Sequence, residues 1–259
     1  MSAVLRLSGQ FLEKSWSLLL IIGLWQAAAS AGMITSRLLP PPSLVLSVFW
    51  TEISNGVLLK HALTTLERAL TGFAGGVTAG LLLAAAMARA PVLGRLIEPL
   101  IFLGYPVPKI ALFPIFVFIF GVGSSSKVAF TFLECLYPMT ITAYLGMKGV
   151  NTRLIWTARN FGADRLTILR RVILPAVLPS IFAGLRIALP LAITIVVVTE
   201  MIGDSSGLGY YINVMGTRYR FPQVYAGILM VGLMGLVLDH GLMALRARVI
   251  HWKAAEAPL

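Results

Sequence analysis

Six stretches of this chain, each about twenty residues long and almost wholly apolar, leave one class of fold open. They run over about 16–34, 64–88, 99–121, 127–147, 180–202 and 223–245. About 20 apolar residues is the length a helix needs to cross the hydrocarbon of a bilayer, where every backbone polar group must be bonded internally. Only 12% of the 259 residues are charged and 58% are hydrophobic, against roughly 25% charged in a soluble domain. No water-soluble fold of this size hides so much apolar surface. The chain reads as an all-α polytopic membrane protein with about six transmembrane helices, a single transmembrane domain over 1–259 with its core at about 60–250.

A net charge of +11 raises the question of nucleic acid. Here the Lys and Arg residues sit in short segments between apolar spans, which is the pattern of topology signals, so no nucleic-acid partner is expected. With the N-terminus inside, thirteen of the 21 fall in inner segments and six in outer ones, while Lys109 and Arg186 lie in or at the edge of spans. Both termini are then cytoplasmic, and so is the segment 148–178. The first apolar run ends in Ala29-Ser30-Ala31, which looks like a signal-peptide cleavage site. Because the rest of the chain is polytopic, the reading is a retained anchor. The single cysteine, Cys135, rules out an intrachain disulfide and reads as an inert buried thiol.

Several residues interrupt the apolar pattern. Pro40-Pro41-Pro42 ends the first span and opens an extended segment; residues 43–60 then look amphipathic and suit the interface. Gly72, Gly76, Gly80, Ala84 and Ala88 recur every four residues, a spacing of small residues that lets helices approach closely. Pro106, Pro108 and Pro114 break the third span, and a broken helix at membrane depth lines a cavity or is buried in protein. Tyr105, Pro106 and Lys109 are therefore candidates for a pathway wall. An intramembrane charge costs roughly 2.5–3.5 kcal/mol on insertion scales and needs a partner or water. Glu134, near the middle of the fourth span, and Glu200, at the outer end of the fifth, join the pathway or gate candidates. Arg186 and Asp239, nearer span ends, are expected to pair structurally.

No Gly-x-x-x-x-Gly-Lys-Ser/Thr loop is present, so ATP is not expected in this chain by that motif. No His-Glu-x-x-His motif occurs and the three histidines, His61, His240 and His251, are scattered; neither a metal site nor a catalytic constellation is expected. Gly203-Asp204-Ser205-Ser206-Gly207-Leu208-Gly209-Tyr210 reads as a turn at the outer face.

The segment 148–178 is basic and amphipathic in a chain that is otherwise membrane-like. Residues 152–161 form a plausible short helix that Gly162 interrupts. Asp164 is an N-cap for a second helix over about 165–172, with Leu166, Ile168, Leu169 and Val172 on its apolar side. Pro175 is expected to bend the chain before the fifth span. A helix–Gly–helix of this kind suits docking into a partner's groove, or lying on anionic lipid.

The arrangement resembles the EAA loop of ABC importer permeases, whose pattern is roughly Glu-Ala-Ala, three residues, Gly, nine residues, Ile-x-Leu-Pro. Ala158 fills the third slot and Gly162 the glycine; nine residues later come Val172, Ile173, Leu174 and Pro175. Trp156 and Thr157 stand in the first two slots, so the acidic residue is missing. The likeness runs from about 38 to 250. Leu39-Pro40-Pro41-Pro42-Ser43, the segment 61–76, Pro106–Pro114 with Phe120-Gly121-Val122-Gly123 and Ser126-Lys127, and Thr199–Tyr210 are similar to successive segments of the nitrate/sulfonate/taurine branch. The resemblance implies a permease domain in the bacterial cytoplasmic (inner) membrane that is a transport subunit and not an enzyme. It implies a homodimer in the lipid bilayer, a partner ATP-binding subunit that holds ATP and Mg and docks on Ala158, Gly162, Asp164, Arg165, Val172, Leu174 and Pro175, and a periplasmic or extracellular substrate-binding protein. An alkanesulfonate, taurine or a nitrate-like anion is the first solute it suggests, with bicarbonate or a heterocyclic vitamin precursor as alternatives. An ion-driven secondary transporter is the alternative, but no internal repeat is evident and the cytoplasmic helix pair is unexplained by it.

Overall fold

The computed structural model describes residues 16, 17, 19–33 and 38–252. Every regular element among them is helical. In chain order these are α1 (Leu19–Ser30), α2 (Pro42–Ser54), α3 (Val57–Arg89), α4 (Pro91–Gly104), a 3₁₀ turn (Lys109–Leu112), α5 (Phe113–Phe120) and α6 (Ser124–Lys148). There follow α7 (Thr152–Asn160), α8 (Arg165–Ile168), a π-helical turn (Leu169–Ile173), α9 (Leu174–Met201), α10 (Leu208–Thr217) and α11 (Phe221–Val249).

Among the described residues, four helices are long and apolar enough to cross a membrane: α3, α6, the continuous helix Arg165–Met201, and α11. The third expected span is a bent pair, α4 and Lys109–Phe120, at 96° to one another. That break falls at Pro106 and Pro108, as proline's missing N–H requires. The first expected span is represented by the short apolar helix α1; residues 18 and 34 of it lie outside the described set.

Three boundaries differ from the sequence reading. Residues 43–60 are not one segment. Pro42 opens α2 directly, its fixed φ suiting a first helical turn, and Gly56 at φ 73° separates α2 from a longer α3. The stretch 89–98 is not a loop, because Pro91 starts α4 one residue after α3 ends. Residues 208–217, expected to follow a simple turn, form α10.

The bundle is built on α3, α6 and α9. Gly72, Gly76, Gly80 and Ala84 are all buried, and the three glycines face α6. A methyl group at Gly76 would run into the carbonyl oxygen of Phe132 and lie 2.8 Å from Cys135 Cβ; at Gly72 it would lie 2.6 Å from Thr131 Cβ. The stripe thus serves packing within the chain, letting two backbones meet; Ala88, its expected last member, is exposed. On the other side of α6, Gly184 of α9 meets Thr142, and Gly146 meets Ser180. Cys135, Ala188, Ala192, Ile193 and Val196 fill the centre. Only Ala226 and Gly227 of α11 are buried; Val231, Met234 and Leu238 pack half-buried against the centre, while Ile228, Leu233, Leu236 and Val237 are exposed, which costs nothing where the solvent is lipid.

Candidate functional site

At one end of the bundle, α7 and α8 form the helix–Gly–helix. The side chain of Asn151 caps α7 by accepting from the Arg153 amide at 2.9 Å. At its far end the Gly162 amide donates to Arg159 O at 2.9 Å and the Ala163 amide to Ala158 O at 3.0 Å. This bond pair, with Gly162 at φ 79°, is a Schellman cap. The spacing of Ala158 and Gly162 is therefore the spacing of one helix terminator. Asp164 accepts from the Thr167 amide at 3.1 Å and starts α8; hydrogen bonds from Thr167 hold its carboxyl below the usual carboxylate range.

Pro175 does not bend the chain away from α9, which corrects the sequence reading. The helix runs without interruption from Arg165 to Met201. In strict α geometry the Pro175 ring would collide with the Arg171 carbonyl. The π turn over Leu169–Ile173, containing Val172, opens the ladder just before it, and Leu174 and Pro175 become the first residues of α9. The two helices border a groove of about 540 Å³ lined by Arg89, Ile155, Arg159, Arg165, Leu166 and Ile173. Large apolar side chains stand out of this end: Phe161 is 87% exposed, with Trp156, Leu166 and Leu174 also exposed. Phe161 was not singled out from the sequence. Its signal was a bulky apolar residue immediately before the glycine.

At the opposite end, charges from three helices and a turn converge. Arg68 of α3 donates to Glu200 at 2.8 Å, to Asp204 at 2.7 Å, to Ser124 Oγ at 2.9 Å and to Ser206 Oγ at 2.9 Å. Lys127 of α6 lies 3.1 Å from the same Asp204 carboxylate. Glu200 is fully buried and accepts from Thr65 Oγ1 at 2.8 Å, from Arg68 and from the Gly209 amide at 3.0 Å. The glycine-rich turn wraps this carboxylate: Gly207 sits at φ 98°, and a side chain there would strike Glu200. Arg68 and Lys127, two of the six cations that the sequence places in outer segments, are buried helix residues.

Nearer mid-bundle, the bent span brings Lys109 to Glu134, with Nζ 3.5 Å from Oε2. Lys109 Nζ also donates to Tyr105 O at 3.0 Å, a carbonyl freed by the Pro106–Pro108 break. It lies 4.8 Å from the Tyr137 ring centroid and 5.5 Å from that of Tyr105. Tyr105, Lys109 and Glu134 are thus brought together beside exposed Pro106. Glu200 belongs to the other cluster, and no hydrogen bond or ion pair among the described residues joins the two. Arg186 and Asp239 pair at 3.6 Å, the first exposed and the second half-buried.

The fold is thus a bundle of membrane-length helices with one bent, charge-bearing helix pair and a capped helix pair fused to the end of a span. Residues 76–251 match the family model described as binding-protein-dependent transport system inner membrane component. The chain belongs to that family of ABC transporter permeases and is a transport subunit, not an enzyme. It is 32% identical to the taurine transport system permease protein TauC of Escherichia coli K12 over 95% of this chain and 91% of that protein. It is equally identical to the formylaminopyrimidine transport permease protein ThiX of Halalkalibacterium halodurans, over 96% and 99%, and to the putative aliphatic sulfonates transport permease protein SsuC of Escherichia coli K12, over 91% and 89%. In fold it is similar to a chain of the inward-facing MetNI methionine ABC transporter, with a TM-score of 0.62 over 75% of this chain and 94% of that one.

Proposed function

We propose that this chain is the membrane-spanning subunit of an ATP-driven importer of a small oxyanion, an alkanesulfonate or taurine before nitrate. The observation that carries the reading is the uninterrupted helix from Arg165 to Met201. A partner that grips α7 and α8 grips the end of a span, so a push there is delivered along α9 to the Glu200 cluster. Family membership supports the gripping partner being an ATPase subunit, which binds ATP and Mg; a substrate-binding protein docks at the opposite end. Two copies of the chain pair in the bacterial inner membrane with both termini cytoplasmic. Tyr105, Pro106, Lys109 and Glu134 line the route, and Glu200 braces the gate at its outer end. The alternation between inward and outward openings is a packed-element rearrangement driven from the loop. The sulfonate and taurine relatives support the solute class.

Purification in mild detergent with a candidate ATPase subunit tests the assembly. Wild type is expected to retain the ATPase. Gly162→Val combined with Leu174→Asp is expected to release it while the spans stay folded. Wild type that holds no ATPase under any nucleotide condition contradicts the reading and leaves a lipid-surface role for the loop.

A further inference from the structure

The two intramembrane glutamates are treated very differently by the fold. Glu200 has three donors within 3.1 Å and no exposure; its valences are filled. Glu134 is 9% exposed, yet the closest cation is Lys109 at 3.5 Å and no other described residue donates to it. Lys109 in turn is anchored by the Tyr105 carbonyl and the Tyr137 ring rather than by its counter-ion. A carboxylate so nearly removed from water is costly unless its acceptors are used. The pair therefore has open capacity on the acidic side, next to the exposed break at Tyr105–Pro108.

We propose that Lys109 and Glu134 form a transit site for a compact zwitterion, a molecule with an ammonium and an oxyanion about two carbons apart. Such a solute lies head to tail along the ion pair, its oxyanion on the Lys109 ammonium and its ammonium on Glu134. Each of the four charges then has a second opposite neighbour. A plain anion gains from Lys109 but is repelled by Glu134 a few ångströms away, so the pair favours the zwitterion over the anion of the same size. The Tyr137 face, already within reach of one ammonium, suits a second. This inference rests on the importer reading and narrows its solute class from oxyanions to amino-substituted ones.

The test uses the assembled permease, ATPase and binding protein in proteoliposomes, with ATP-dependent uptake of 2-aminoethanesulfonate and of ethanesulfonate measured side by side. Wild type is expected to import the amino compound faster. In Glu134→Gln the ratio of the two uptake rates is expected to fall about tenfold or more, and Glu134→Asp is expected to restore most of it. Lys109→Met is expected to lower both rates. Co-purified ATPase reports that each variant is assembled. A Glu134→Gln complex that loses both uptakes in proportion, with the ratio unchanged, makes the pair a structural clasp and overturns the proposal, as does wild type that imports ethanesulfonate but not the amino compound. Failure of the wild type to bind its ATPase or to show any ATP-dependent uptake would instead remove the importer reading.

Discussion

Arg68→Met is expected to destabilise the protein by about 3–5 kcal/mol, the range for breaking one side of a buried ion pair. The substitution keeps the volume of the side-chain stem but strips five donors from a cluster that uses four different partners. Glu200, at 0% exposure, is left with Thr65 and Gly209 and no cation. Asp204 retains Lys127, so Glu200 carries the main loss. Buried pairs are little screened, so added salt is not expected to mimic the substitution. The double variant Arg68→Met with Glu200→Gln removes both charges and is expected to recover part of the loss. The check is a melting curve in detergent read by a thiol-reactive dye, since Cys135 is buried and is the only cysteine. A melting profile equal to wild type would mean that water already solvates Glu200.

Gly162→Val is expected to abolish coupled uptake while the spans remain folded. Gly162 lies at φ 79° with open space around its Cβ position, so the obstacle is the backbone and not a clash. A left-handed residue with a side chain costs roughly 1–2 kcal/mol, and a β-branched one more. Relief of that strain moves the chain out of the left-handed region and breaks the two bonds of the Schellman cap. The angle between α7 and α8 is then lost, though α8 stays attached to α9. Reconstituted complex is expected to hydrolyse ATP with uptake near background. Normal uptake by this variant would show that α7 does not need a fixed angle to drive α9.

How much of this was legible in the sequence differs by feature. Spans of about twenty apolar residues are a one-dimensional signal, and α6, α9 and α11 fall within a few residues of the expected limits, apart from the early start of α9. Gly162 and Asp164 were legible because caps are local: each bonds within five residues. Pro175 was misread because proline's usual effect, a break, is avoided by a π turn that leaves no mark in the sequence. The Arg68–Glu200 pair joins residues 132 positions apart, and no periodicity encodes such a meeting. Lys109 and Glu134 were each noticed as an intramembrane charge, but their partnership follows from the 96° bend of the broken span. α10 was hidden by the glycines before it, which read as a turn and are one, closing around Glu200.

The central claim is that the α7–α8 loop is where a motor subunit drives this permease, and one cross-linking measurement addresses it most directly. Phe161→Cys places a thiol at a position 87% exposed, while the native Cys135 is buried. A photoreactive maleimide attached there, in membranes that also contain the ATPase, is expected to give one adduct at the summed mass of the two subunits. Its yield is expected to change when ATP is bound. Adducts to lipid alone, with no ATPase band in any nucleotide state, would contradict the account.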